Sequence, residues 1–447
     1  MTDLLAIAEG VAGWAGDGEQ VEAYVARARD TEVKVFDGEV ESLSSAQTEG
    51  VGVRVVVDHK QGFAYAGSLE PDALKETLAE ARDNAAFGTV DEFLGLPEPD
   101  GVAPADLDLY RAELDAFPAD DKVALALELE AATKKADPRV RGVETAEYGD
   151  AAVEAAVASS TGVRASARRT VCSVYAYAMA GDGAETQTGY GYSVARHPRE
   201  LDVAKAAGQA AERATAMLGA RQPASRRITV VLEPMVTASF LGLIASAMSG
   251  EAVLKGRSMF ADRLDEDVAA PIVTLTDDPT NPEAFGAAAY DAEGLATRGN
   301  VLLEGGVLRR FLQNTYSGRR SGTASTGSAV RGGFKSTPGV GSRALSLTPG
   351  ERDQSQLLAD VGEGLLVRTV IGLHSGANPV SGDFSVGCEG LVVRDGVAAE
   401  PVREATIAST LQRMLLDVVG VGSDLEWLPG GAAGLSLAIR DVTLSGA

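Results

Sequence analysis

The sequence predicts an α+β protein with three segments. These are an N-terminal α/β sandwich domain at residues 1–100, a central α/β segment at 101–225, and a C-terminal, mostly antiparallel, barrel-like β domain at 226–447. The chain has 447 residues, of which 45% are hydrophobic, so it is long enough for roughly three domains of about 150 residues each. In its first half, segments whose apolar residues are spaced as in helices alternate with segments in which they are spaced as in strands. Short strands separated by regularly spaced turns fill its second half, a pattern that favours a barrel.

The N-terminal domain is predicted from two helices and two pairs of strands. Apolar residues on one side of residues 2–15 indicate an amphipathic helix. Alternating strands follow, and Asp37-Gly38 supplies a two-residue hairpin turn between them. Residues 52–57 and 63–66 are expected to form a second strand pair. Pro71 then opens a helix, which is expected to end near Phe87.

The two later segments are read from the same kinds of signal. Residues 96–105 contain prolines and are interpreted as a linker. The central segment begins with a helix near residues 121–136, continues with strands from 143 to 174, and closes with an Ala-rich helix at 198–218. The last segment opens on an apolar strand at 228–232.

Composition limits the classes of function. The formal net charge of -24 disfavours nucleic acids and anionic membrane surfaces, because both attract Lys and Arg. Two cysteines, Cys172 and Cys388, are too few for a disulfide framework or a multi-Cys metal cluster. No apolar run approaches the roughly 20 residues needed to span a bilayer, and the N-terminus lacks the pattern of a signal peptide. We therefore expect a cytoplasmic protein.

The helix at residues 235–249 and the segments that follow it resemble the TldD/PmbA family of modulators of DNA gyrase and peptide-processing metalloproteases. The resemblance extends over essentially the whole chain and is densest from residue 231 to 424. The segments that carry it are Gly256-Arg257-Ser258, Asp277-Asp278-Pro279, Tyr290-Asp291-Ala292-Glu293-Gly294 and Asn378-Pro379-Val380-Ser381-Gly382-Asp383-Phe384-Ser385.

The resemblance also identifies a degenerate metal motif. In the TldD branch this helix carries His-Glu-x-x-x-His, which supplies two zinc ligands and a base. Matching Gly250-Glu251 to the Gly-Asp after that motif places Leu241 and Gly242 at the first His and the Glu, and Ser246 at the second His. None of these three side chains is a good zinc ligand. The tail at residues 427–434 also lacks the cysteine that the TldD branch uses as a third ligand, so the chain resembles the PmbA branch, also called TldE.

This resemblance implies a role for the chain inside a larger enzyme. We expect a non-zinc subunit of a heteromeric metallopeptidase, with no cofactor of its own, a zinc-bearing TldD-like partner, an unfolded peptide as substrate, and a dimer as the assembly. One alternative is a homo-oligomeric peptide-binding or scaffold protein without catalysis. A less favoured alternative is a self-contained cysteine-type hydrolase that pairs Cys388 with His374 and Asp383.

One loop is the predicted substrate cleft. In the resemblance, the segment after His374 lies beside the cleft, where Pro379 restricts the chain, Gly382 allows close approach of another backbone, and Phe384 offers an apolar contact to a peptide side chain. The full set of cleft candidates is His374, Asn378, Pro379, Ser381, Gly382, Phe384 and Ser385.

Four carboxylates bracket an Ala-rich stretch and are candidates for a cation site. Turn and cap roles explain them more simply. They are Asp277, Asp278, Asp291 and Glu293.

Overall fold

The computed structural model describes residues 3–446. Its first half is a six-stranded antiparallel sheet with strand order β3-β2-β1-β4-β5-β6. The elements of this half are α1 (Leu4–Ala12), β1 (Gln20–Phe36), β2 (Glu39–Val57), β3 (Lys60–Ala66), α2 (Pro71–Ala86), α3 (Ala119–Ala136), β4 (Val140–Ser159), β5 (Arg164–Ala180), β6 (Gln187–Ala195) and α4 (Val203–Ala216).

Local sequence signals account for the turns and starts of these elements. Asp37 and Gly38 have φ angles of 53° and 80°, the left-handed values that a tight two-residue hairpin requires. Asp58 and His59 make the next hairpin with φ angles of 49° and 58°. Pro71 is the first residue of α2, where a missing amide hydrogen costs nothing. The hairpin and helix predictions for this region are confirmed.

The four helices cover one face of the sheet. Alternate residues of β1, such as Val21 and Val33, point to this face and have no solvent exposure. Helices α1 and α2 pack over the end formed by β1 to β3, and α3 and α4 pack over β4 to β6. The sheet is continuous across the two N-terminal segments, since β1 pairs with β4 from Glu22 to Val35. The face of the sheet that carries no helices packs against the second half of the chain.

The second half is built around a closed barrel of five strands. Its strands are β7, β14, β15, β16 and β20, and the pairing of β16 with β20 closes the ring. Only β7 and β14 are parallel; the other pairs are antiparallel. The predicted fold class, with a mostly antiparallel barrel at the C-terminal end, is confirmed.

Shorter elements surround the barrel. The helices of this half are α5 (Pro234–Ala247), α6 (Gly250–Leu254), α7 (Thr315–Arg320), α8 (Gln354–Val361), α9 (Leu373–Gly376) and α10 (Leu411–Leu416). Its strands are β7 (Arg226–Leu232), β8 (Leu275–Asp277), β9 (Asn300–Glu304), β10 (Val307–Leu308), β11 (Ala329–Val330), β12 (Gly339–Val340), β13 (Leu345–Leu347), β14 (Gly364–Ile371), β15 (Asp383–Arg394), β16 (Val397–Thr410), β17 (Val418–Val421), β18 (Glu426–Trp427), β19 (Ala433–Gly434) and β20 (Leu437–Ser445). None of the helices in the described residues is long and apolar enough to cross a membrane.

A buried chain of charges joins the sheet to the second half. Arg54 of β2 lies 2.5 Å from Glu22 of β1 and 3.4 Å from Glu293, and Arg331 lies 2.7 Å from Glu22. All four side chains are 7% exposed or less. Because each charge faces an opposite one, the network can stay buried without leaving an isolated ion.

Candidate functional site

A cleft beside α5 lies between the open face of the sheet and the barrel. It has a volume of about 610 Å³. The sheet contributes four tyrosines to the lining of the cleft, and the second half of the chain contributes residues of α5, β14 and α9. These lining residues are Tyr175, Tyr177, Tyr190, Tyr192, Met235, Val236, Ser239, Arg368, Thr369, Val370 and Leu373.

The tyrosines form one continuous wall, which we call the tyrosine wall. Tyr177 lies 6.1 Å from Tyr175 and 6.1 Å from Tyr190, measured between ring centroids. The Tyr190 hydroxyl donates to Met235 Sδ of α5 at 2.9 Å, which ties the wall to the barrel. Burial raises the pKa of Tyr190 and of Tyr192, so both hydroxyls stay protonated and can donate hydrogen bonds.

An ionic cluster closes one end of the cleft. Glu233, the residue before α5, binds Arg213 at 2.6 Å and Arg368 at 2.8 Å. Arg368 also binds Glu212 at 3.0 Å. Burial alone would lower the pKa of Arg368, but the charges of Glu233 and Glu212 outweigh it and raise that pKa. The start of α5 is therefore held in place by charge pairs as well as by packing.

Helix α5 presents one face to the cleft. Met235 and Ser239 line the cleft, and Gly242 and Ser246 continue the same face at helical spacing. Gly242 and Ser246 are exposed, whereas Leu241 is 1% exposed and belongs to the barrel core. The Ser246 hydroxyl donates to the carbonyl of Leu243 at 2.7 Å, which occupies its only hydrogen.

These side chains do not fit a zinc ion. Of the three positions matched to the metal motif, one is an apolar side chain in the core, one has no side chain and one is a hydroxyl bonded to its own helix. Within residues 3–446, no three His, Cys, Asp or Glu side chains are grouped closely enough to hold a metal ion. The three matched positions on α5 therefore supply no ligand set for zinc.

The comparisons with known proteins agree with this architecture. Three family models match in order along the chain: PmbA/TldA metallopeptidase domain 1 at residues 21–85, the central domain at 112–218, and the C-terminal domain at 225–446. The chain belongs to the PmbA/TldD family. The resemblance predicted from the sequence is confirmed.

Relatives match this PmbA/TldD chain over nearly its full length. Metalloprotease PmbA of Escherichia coli O157:H7 is 26% identical over 415 residues, which cover 92% of this chain and 89% of that protein. A candidate modulator of DNA gyrase from Bacteroides thetaiotaomicron is 26% identical and superposes with a TM-score of 0.89 over 99% of this chain and 98% of that one. TldE from Thermococcus kodakarensis superposes with a TM-score of 0.87 over 99% of both chains; at 22% identity this likeness shows a shared fold and nothing more.

The loop predicted to form the cleft lies at the edge of this site. None of its seven candidate residues lines the 610 Å³ cleft, although Leu373, which does, directly precedes the exposed His374. The loop is closed by its own hydrogen bonds: Asn378 N donates to the Asp383 carbonyl at 2.8 Å, and Gly382 N donates to the Asn378 carbonyl at 2.7 Å. Asn378, Ser381 and Ser385 are exposed and Pro379 is partly exposed.

One contact predicted for this loop is wrong, and a second position has a local structural role. Phe384 is 4% exposed and packs in the barrel core, because its position on β15 points inward, so its ring is not available to a peptide. Gly382 is buried with a φ angle of 86°, and a Cβ there would lie 1.9 Å from the Gln412 side chain. It serves a tight turn packed against Gln412, and the approach of a peptide backbone to it stays a prediction.

The two cysteines of this PmbA/TldD family member are both buried. Cys388 and Cys172 are each 1% exposed. Burial, followed by the charge of Glu389, raises the pKa of Cys388 to about 12. Burial, followed by the charge of Asp150, raises the pKa of Cys172 as well. Neither thiol is poised as a nucleophile, which requires a lowered pKa and access to substrate.

Sequence reasoning missed the tyrosine wall. A signal was present, since the pairs Tyr175/Tyr177 and Tyr190/Tyr192 each place two aromatic rings on the same face of a strand. On β5 the alternate residues, including Cys172 and Val174, fill the helix-covered face. The tyrosines must therefore point the other way, toward the barrel.

Proposed function

We propose that this chain is the non-zinc subunit of a two-component metallopeptidase. In this proposal a zinc-bearing relative carries out hydrolysis, and this chain supplies one wall of the cleft that holds an unfolded peptide. The observation that carries the proposal is the cleft face of α5. In a family named for metallopeptidases, this face offers only Gly242 and Ser246 where a base and a ligand would stand.

The chemistry of the cleft suits peptide binding. Four tyrosines give apolar ring faces with polar tips, which suit contact with varied peptide side chains. Arg368 has a buried Nη1 for which the described residues provide no acceptor, and it borders the same cleft. A peptide carbonyl or carboxylate at that position would satisfy it. In this role the chain's own residues bind and orient the peptide, and no bond is broken by them.

The cysteine-hydrolase alternative is disfavoured by the burial of Cys388 in the barrel core. The alternative of a homo-oligomeric binding protein uses the same cleft without a hydrolytic partner. It differs from our proposal in one respect, which is whether a zinc-bearing relative accompanies the chain.

The test is recovery of the tagged chain from extracts of its own cells, followed by zinc analysis and peptidase assays. We expect a zinc-bearing relative in roughly equal amount, peptidase activity in the mixture, and neither activity nor stoichiometric zinc in the chain purified alone. A zinc ion bound to the isolated chain, or activity of the isolated chain on unfolded peptides, would sink the proposal. Recovery of a homo-oligomer alone, under conditions in which both genes are expressed, favours the scaffold alternative.

A further inference from the structure

A second, smaller cavity is lined by Arg331, one end of the buried charge chain. It opens between β4 and β5 of the sheet and the loop around Asp291, and its volume is about 150 Å³. Alanines make up much of its lining. We call it the arginine pocket, defined by Arg168, Arg169, Arg331 and Arg343 together with Tyr24 and Asp291.

The pocket concentrates positive charge in an acidic protein. Four arginines and one carboxylate line it, although the chain as a whole has a formal charge of -24. Within the described residues, no carboxylate lies within 4.0 Å of Arg168, Arg169 or Arg343. Arg331 does pair with Glu22, but Glu22 is shared with Arg54.

Two guanidinium groups of the pocket have unsatisfied donors. The Nε atoms of Arg331 and Arg343 have no solvent contact, and no acceptor among residues 3–446 reaches them. The Arg331 side chain is 1% exposed. Burial, and then the nearby charge of Arg169, lower the pKa of Arg343. Buried charged donors without partners are unfavourable, so an acceptor that reached these guanidinium groups would stabilise them.

The only carboxylate in the pocket is already engaged. Asp291 Oδ1 accepts hydrogen bonds from the backbone amides of Glu293 and Leu295, and its Oδ2 accepts one from Ala329. These bonds hold the turn at Tyr290-Asp291-Ala292, which is the structural role expected from the sequence. Asp291 is therefore committed to the backbone. Arg331 pairs with Glu22 and lies 4.4 Å from the centre of the Tyr24 ring, and Arg168 lies 4.4 Å from that of Tyr110, so Arg169 and Arg343 are the arginines without a charged or aromatic partner among residues 3–446.

We propose that the arginine pocket binds a small oxyanion, either a carboxylate or a phosphate group. A guanidinium presents paired donors in the geometry of such oxygens, and it does so best where water is largely excluded. A volume of about 150 Å³ accommodates a group of this size, since one water occupies about 30 Å³. This inference does not rest on the proposed peptidase role, because the pocket is lined by a different set of residues from the tyrosine cleft.

The test is calorimetric titration of the full chain at low ionic strength. The probes are inorganic phosphate, acetate, and one tripeptide prepared with a free and with an amidated C-terminus. We expect at least one of the free anions to bind to the wild type, at least tenfold more weakly to Arg343→Met, and unchanged to Arg394→Met. Arg394 is the matched control because its side chain is 57% exposed and far from the pocket in the barrel. Binding of the free tripeptide but not of its amide identifies a peptide carboxylate; binding of phosphate alone identifies a phosphate group.

Thermal unfolding separates ligand binding from a structural role. Arg343→Met should be as stable as the wild type without anion, because it removes an unpaired charge, and it should lose the anion-dependent rise in Tm. Arg169→Gln, at the exposed rim, provides a second variant should Arg343→Met fold poorly. The proposal is overturned if neither phosphate nor any carboxylate binds, or if these substitutions leave the affinity unchanged.

Discussion

The cysteine-hydrolase alternative requires a reactive Cys388, and the environment of this residue makes it unreactive. Burial raises the pKa of Cys388 to about 12, so its thiol is almost entirely protonated at pH 8, where an ordinary cysteine is partly ionised. The thiolate is the reactive form. The same burial that stabilises the barrel core therefore removes the nucleophile.

We expect the folded protein to resist alkylation at both cysteines at pH 8. Cys388 should react with iodoacetamide more than a hundredfold more slowly in the native protein than after unfolding in urea, as followed by mass spectrometry. Cys388→Ser should leave the peptidase activity of the assembled complex within a few-fold of wild type. Rapid alkylation of the native protein, or a loss of activity on the order of 10³ in a folded variant, would instead support the cysteine mechanism.

Arg54 is the central residue of the buried charge chain. Replacing it with Met leaves Glu293 without its ion pair and Glu22 with one partner in place of two. Breaking a buried pair by removing one partner costs about 3–5 kcal/mol, because a desolvated charge remains. We expect Arg54→Met to lower the free energy of unfolding by that amount in a denaturant titration.

The control for Arg54 is an exposed pair. Arg394→Met breaks the contact with Glu400, whose side chain is 60% exposed, and surface pairs contribute about 0–1 kcal/mol. Equal losses for the two variants would show that the chain of charges does not stabilise the contact between sheet and barrel.

At the scale of elements, turns and helix starts were predictable and the faces of strands were not. Asp37-Gly38 and Pro71 act through the local backbone, so each could be assigned from its own sequence. Phe384 could not, because alternation divides β15 into two faces without saying which one faces the barrel interior. Whether a strand pairs with a distant one, as β7 does with β14, is likewise set by tertiary contacts.

The same limit applies to the site. The degenerate positions on α5 could be identified by resemblance, because the motif is contiguous. The cleft itself could not be derived, since it is formed where β5 and β6 approach α5 and β14. Residues that are far apart in sequence form the cleft, and a single sequence does not show which of them are in contact.

The tyrosine wall yields a prediction for peptide binding. Tyr177 is 40% exposed on the cleft face of β5, so Tyr177→Ala removes contact area without emptying a core position. We expect KM for peptides in the assembled complex to rise about two- to twelvefold, with a smaller change in kcat, because one aromatic contact contributes about 0.5–1.5 kcal/mol.

The matched control is Tyr65→Ala. Tyr65 is 52% exposed on β3 and does not line the cleft. It should change Tm about as little as Tyr177→Ala does and leave KM unchanged. If both variants shift KM alike, or if neither does, the tyrosine wall does not contact the peptide.

At the scale of the whole molecule, the net charge is the main electrostatic influence on stability. With a formal charge of -24, the excess carboxylates repel one another, and this repulsion opposes the compact state. Salt shortens the reach of that repulsion to about 10 Å at 0.1 M. We expect Tm to rise by roughly a few degrees between about 0.02 M and 0.5 M KCl, as measured by calorimetry. A flat or falling Tm would mean that the surface ion pairs, which salt weakens, outweigh the net repulsion.

The closure of the barrel sets an order of events on the ribosome. Strand β7 pairs with β20, yet roughly 200 residues separate them, which at 5–20 residues per second corresponds to about 10–40 s of translation. All six strands of the first sheet have left the ribosome before β7 emerges, so that sheet can form while synthesis continues. Until β14 is made, β7 lacks both its barrel neighbours, and until β20 is made one edge of β7 stays unpaired and the barrel stays open. The newly made chain is then most open to chaperones and proteases, and rare codons between β7 and β20 would prolong that exposure.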